Sequence, residues 1–118
     1  MIGNDVDIEE IKDIYEKGQF SLNGAIYHIL NMTHKQRRKV FAYFTSIHKQ
    51  LSVGDFGFMD TVEFDAIEET ISNLVTYDGS LISKIPNHWD QHPGDYMTFV
   101  ITTMGVISYP FLAGNLGG

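Results

Sequence analysis

The chain has no cysteine. That excludes disulfides, thiolate metal sites and a cysteine nucleophile, and it fits a reducing compartment. Proline is scarce, with three residues in 118, so long helices are permitted along most of the chain. No apolar run reaches the roughly 18 residues of a membrane span. The longest candidate, about Met97 to Leu112, is interrupted by Thr102, Thr103, Ser108 and Pro110. The start is acidic, so a basic-then-apolar leader is not expected. Positive charge is in short supply, eight Lys and Arg against fifteen Asp and Glu, a net charge of −7. As a whole-molecule effect this disfavours nucleic acid and anionic lipid.

What remains suits one folded domain. Hydrophobic residues make up 43% and aromatics number fifteen, too many for a disordered chain. A chain of this length buries a core without staples. The basic residues are concentrated: Lys35, Arg37, Arg38, Lys39 and Lys49 fall between Thr33 and Leu51 with no acid among them. The rest of the chain holds three basic residues and all fifteen acids, a net of −12. Such asymmetry drives head-to-tail self-association or steers an oppositely charged partner. It also arises where a basic helix packs beside acidic ones.

Local signals predict the elements. Residues 7–17 read as a helix, capped by Asp7 with Glu10 three residues on, its stripe formed by Ile8, Ile11 and Ile14 or Tyr15, and stopped at Lys17-Gly18. Asn23-Gly24 within 19–30 predicts a β-hairpin, because both residues tolerate the positive φ of a type I′ turn. A short helix over 22–30 is the alternative, weakened by Gly24. Thr33 and Gln36 form a capping box for a helix to about Leu51, with Val40, Phe44, Ile47 and Leu51 on one face. Its basic residues crowd the N-terminal end, where the helix dipole disfavours them. A loop over 52–58 precedes a helix from about Asp60 to Tyr77 with the stripe Phe64, Ile67, Ile71, Leu74. Asp78-Gly79 reads as a turn, followed by a short amphipathic piece to Ile85. A last helix is expected from His92-Pro93 to about Ser108, stopped by Pro110, with 114–118 as a flexible tail. The fold class that follows is α+β, mostly helical: a short N-terminal hairpin packed with three main helices in one domain over 1–113.

Motifs for chemistry are few. G-x-S-x-G, P-loop and G-x-G-x-x-G patterns do not occur. Glu68 and Glu69 are adjacent and diverge on a helix, a poor acid–base pair. His88 and His92 have zinc-ligand spacing, but Pro86 and Pro93 bracket them and the HExxH pattern is missing. The reading is therefore non-enzymatic, without metal or cofactor. A helical 22–30 followed by the basic helix would make a helix-turn-helix facing DNA, which the hairpin signal and the net charge oppose. Binding to protein is the expectation. Lys35, Arg37, Arg38 and Lys39 are the candidate charged contacts, and Trp89, Tyr109 and Phe111 the candidate apolar ones, aromatics being common interface anchors.

Two blocks carry a resemblance. Phe20-Ser-Leu-Asn23-Gly24, a short strand, then Met32-Thr33 and a helix with Gln36-Arg37 resembles the lambda-type tail assembly chaperones of tailed phages. His88-Trp89, the Pro93-Gly-Asp-Tyr96 helix and Tyr109-Pro-Phe111 are similar to the closing helical region of those proteins. The resemblance implies a short, acidic, largely helical protein of the host cytoplasm. It would coat the helical tape measure protein, keep it soluble and help recruit the tail tube protein, with a homo-oligomer among the expected assemblies. The ending Gly-Asn-Leu-Gly-Gly would suit the short form of a frameshifted pair. A small acidic phage-encoded inhibitor of a host protein is the alternative.

Overall fold

A computed structural model describes residues 8–117, the side chains of 115–117 excepted. The expected α+β, mostly helical architecture is what forms: six α-helices and a four-stranded antiparallel sheet among the described residues. Helix α1 spans Ile8–Lys17 and buries Ile11 and Ile14. It ends as Lys17-Gly18 predicts: Gly18, at φ +73°, donates its N–H to the Ile14 carbonyl at 2.7 Å. The cap assigned to Asp7 lies outside the described residues.

The hairpin forms with strands β1 (Gln19–Leu22) and β2 (Ala25–Ile29). Asn23 and Gly24 both take positive φ, 50° and 85°, as a type I′ turn requires. Residues 22–30 are therefore not helical, and the helix-turn-helix reading loses its first helix. Phe20 and Tyr27, directly opposite across the ladder, point into the core.

Helix α2 covers His34–Ser46 behind its capping box. The Gln36 N–H donates to Thr33 Oγ1 at 3.1 Å and the Thr33 N–H to Gln36 Oε1 at 2.8 Å. The single helix expected to reach Leu51 is broken at Ile47, and α3 resumes over His48–Ser52. The Thr45 and Ser46 hydroxyls donate to the Ala42 and Tyr43 carbonyls, competing with the helical ladder at that point. Ile47 and Leu51 stay buried, so the predicted stripe survives the break.

The fourth helix starts later and stops earlier than predicted. Thr61, not Asp60, caps α4 (Val62–Ser72), and a 3-10 turn over Gly57–Asp60 places Phe58 in the core. The stretch read as its last turn is instead strand β3, Val75–Tyr77. Asp78 and Gly79, at φ 53° and 84°, form a second turn of the type I′ kind and lead into β4, Ser80–Leu81. The cause is tertiary. The first hairpin offers a free edge, and β3 docks on it with Tyr27 opposite Tyr77 and Ile29 opposite Val75. β-branched and aromatic residues suit that position, and the sheet grows from a marginal pair to four strands in the order β1-β2-β3-β4.

Short helix α5 (His88–Gln91) and a 3-10 turn over Pro93–Asp95 lead into α6, Tyr96–Gly117. Here the expectation of a stop at Pro110 fails. Proline removes its own N–H from the ladder and crowds the carbonyl four residues back, yet the helix continues past it. By length and composition Pro93–Gly114 passes for a membrane span, and half of its most apolar window is buried within the fold. It is the central element, packed on α1, α2 and α4, with Phe99, Val100, Met104 and Ile107 almost wholly enclosed.

Candidate functional site

Two regions at the two ends of α6 hold the polar chemistry. At its C-terminal half, α2 lies alongside and brings the basic cluster with it. Arg37 turns inward: its Nη1 donates to the Ile107 carbonyl at 2.7 Å, and its guanidinium stands 5.8 Å from the Tyr15 ring centroid. Ile107 is three residues before Pro110, where a proline weakens the helical ladder. The N–H that Pro110 lacks would have served the Val106 carbonyl; Arg37 adds a charged donor one residue further on and ties α2 to α6 beside the proline. Lys35, Arg38 and Lys39 are exposed. Helix α6 contains no charged residue, and among the described residues no carboxylate pairs with these three cations; the ion pair present is Lys17–Asp13. Among the described residues, then, no ion pair ties these three cations of the basic helix to an acidic neighbour.

The apolar candidates divide between the two regions. Tyr109 packs on Tyr15 at 5.2 Å. Phe111 meets His34 at 5.9 Å and Phe41 at 5.0 Å, both edge to face. Tyr109, Phe111, Leu112 and Ala113 remain half-buried, so an apolar strip continues beside the cations. Trp89 is elsewhere. It joins a ring cluster with His88, Tyr96 and Phe99 at the start of α6. The structure thus gathers Lys35, Arg38, Lys39, Tyr109 and Phe111 at one end, gives Arg37 an internal role there, and leaves Trp89 at the other.

That other end contains residues the sequence did not single out. Tyr27, fully buried, is surrounded by Phe20, Tyr77, His88, Trp89 and Phe99. Its hydroxyl is hydrogen-bonded to His88 Nε2 at 3.0 Å. Burial, reinforced by Asp95 and Tyr77, pushes the Tyr27 phenol up to about 12. Burial and the neighbouring His92 push the His88 imidazole down, Asp95 opposing weakly. Both groups are neutral near pH 7, so the buried bond joins a phenol and an uncharged imidazole. The Asn23 amide donates to Asp95 Oδ1 at 2.5 Å, tying the hairpin tip to the entrance of α6. The Tyr96 hydroxyl donates to the Glu68 carboxylate, and burial together with that carboxylate raises the Tyr96 phenol well above its usual range.

Beside this cluster lies an open depression of about 240 Å³ bordered by Glu68, Ile85, Asn87, His88, Trp89 and Asp90. Asn87 sits in the left-handed region at φ 60° just before α5. The His88 and His92 rings are 4.8 Å apart, but His88 Nε2 is engaged by Tyr27, and among the described residues no three His, Asp or Glu side chains gather as a metal site. The depression offers two carboxylates and part of an indole, a chemistry suited to a cationic group. No local signal could have found the Tyr27 cluster, because its members come from β1, β2, β3, α5 and α6.

Comparison with protein-family models, with curated proteins and with solved structures finds no match to the chain.

Proposed function

We propose that this protein is a tail assembly chaperone of a tailed phage, acting in the host cytoplasm on the tape measure protein. The observation that carries the reading is the exposed stripe of Lys35, Arg38 and Lys39, without an acidic partner among the described residues, beside the half-buried apolar end of α6. An apolar strip edged by charge is what an amphipathic helix docks on, and a tape measure protein is a long helical chain. The two blocks that carry the resemblance also meet in space. Phe20 lies on Phe99 at 6.2 Å, Asn23 holds Asp95, and Tyr27 holds His88.

On this reading Tyr109, Phe111 and Leu112 cover apolar surface of the bound helix and keep it from aggregating. The cations set its register against acidic side chains. The remaining acidic surface keeps the complex soluble. The grip is modest, because tail tube subunits must displace the chaperone.

The test is co-expression with a tape measure protein followed by size-exclusion chromatography. Co-elution of a soluble complex is expected from the unaltered chain, and its loss from K35E/R38E/K39E. If the partner aggregates as it does alone, the reading fails, and capture from host lysate becomes the test of a small acidic inhibitor.

A further inference from the structure

The two ends of α6 are complementary. The depression at its start is lined by two carboxylates, Glu68 and Asp90, and by Trp89. Among the described residues no Lys or Arg borders it. Tyr96 donates to one oxygen of Glu68, leaving the other to accept. At the far end, Lys35, Arg38 and Lys39 are exposed without an acidic partner among the described residues. Carboxylates beside an aromatic side chain suit an ammonium or guanidinium group.

We propose that copies of this chain associate head to tail, the Lys35/Arg38/Lys39 stripe of one copy seated on the Glu68/Trp89/Asp90 depression of the next. Within one chain the contact is not made: among the described residues no ion pair joins the stripe to Glu68 or Asp90, and Tyr96, bonded to Glu68, lies about 16 Å along α6 from Ile107, bonded to Arg37. Because the two surfaces differ, the interface is heterologous: each copy keeps one free stripe and one free depression, and the assembly grows unless its rotation closes a ring. The contact rests on the stripe described above and not on the identity of its partner, and it is measured on the protein alone.

Sedimentation velocity of the full chain over a range of concentrations tests it, at about 20 mM and about 300 mM salt, on either side of the range where screening lengths fall below 10 Å. Average mass should rise with concentration at low salt, with association at least tenfold weaker at high salt. K35Q/R38Q/K39Q and D90K alter exposed positions, and circular dichroism and melting curves confirm that they fold. Each variant alone should be monomeric. An equimolar mixture pairs the intact depression of the first with the intact stripe of the second, so it should stop at a heterodimer while the unaltered chain grows beyond it. A monomer at low salt, association that survives high salt, self-association by D90K, or a mixture that stays monomeric would each overturn the proposal.

Discussion

The two ends of α6 are built on opposite rules. At the start, polar groups inside the fold are matched with one another: Tyr27 with His88, Asn23 with Asp95, Tyr96 with Glu68. At the far end, three cations stand without acidic partners among the described residues, a proline interrupts the ladder, and the fully buried hydroxyls of Thr103 and Ser108, on the way there, have no hydrogen-bond partner. Buried groups left unsatisfied cost stability, so the first end has the character of a structural anchor. Unpaired exposed cations cost little and remain available, so the second has the character of a contact surface.

Four substitution sets and a titration would break or sharpen that contrast. Tyr27→Ala should have the largest effect, a loss of about 3–5 kcal/mol in denaturant unfolding, since it empties the centre of the ring cluster. Arg37→Met should come next, losing about 1–3 kcal/mol, because it removes the part-buried charged hydrogen bond that ties α2 to α6 beside the proline. An unchanged unfolding midpoint for Arg37→Met would mean that α6 survives Pro110 without that donor. Thr103→Val and Ser108→Ala should go the other way, gaining up to about 1 kcal/mol by removing unpartnered hydroxyls.

Acidification should have a smaller effect. The His88 pKa is lower folded than unfolded, so the unfolded chain binds more protons below the ordinary histidine value of 6.5. The contribution of the neutral ring is fully present above that pH and is lost as pH falls through the lowered folded value. Melting temperature measured from pH 7.5 downward should decline through that window, and less steeply in His88→Gln. Arg38→Met closes the series. One position from Arg37 but exposed, it should shift stability by no more than about 0.5 kcal/mol. A loss as large as that of Arg37→Met would erase the distinction between the inward and outward cations.

Several elements were legible because their causes are local. Asn23-Gly24 must turn where both residues take positive φ, Thr33 and Gln36 cap α2 through each other, and Gly18 ends α1. The stripe Phe64, Ile67, Ile71, Leu74 is buried as its spacing implies. The same spacing misled beyond Ser72, where Val75 and Tyr77 continue a helical pattern but serve a strand. The candidate site was legible in part. The density of Lys35, Arg38 and Lys39 marked a surface, but nothing nearby in the chain shows that Arg37 turns inward or that Trp89 joins the Tyr27 cluster.

The sequence by itself determined the turns, the caps and the apolar stripes, because each follows from backbone sterics or from side chains within four residues. It also determined the charge asymmetry. Only the tertiary structure decided that β3 and β4 complete the sheet, that α6 runs through Pro110, and which cations remain free. Those outcomes depend on partners far along the chain: β2 for β3, the packing of α1, α2 and α4 around α6, and an uncharged α6 that gives the exposed cations of α2 no acidic partner, none being found among the described residues.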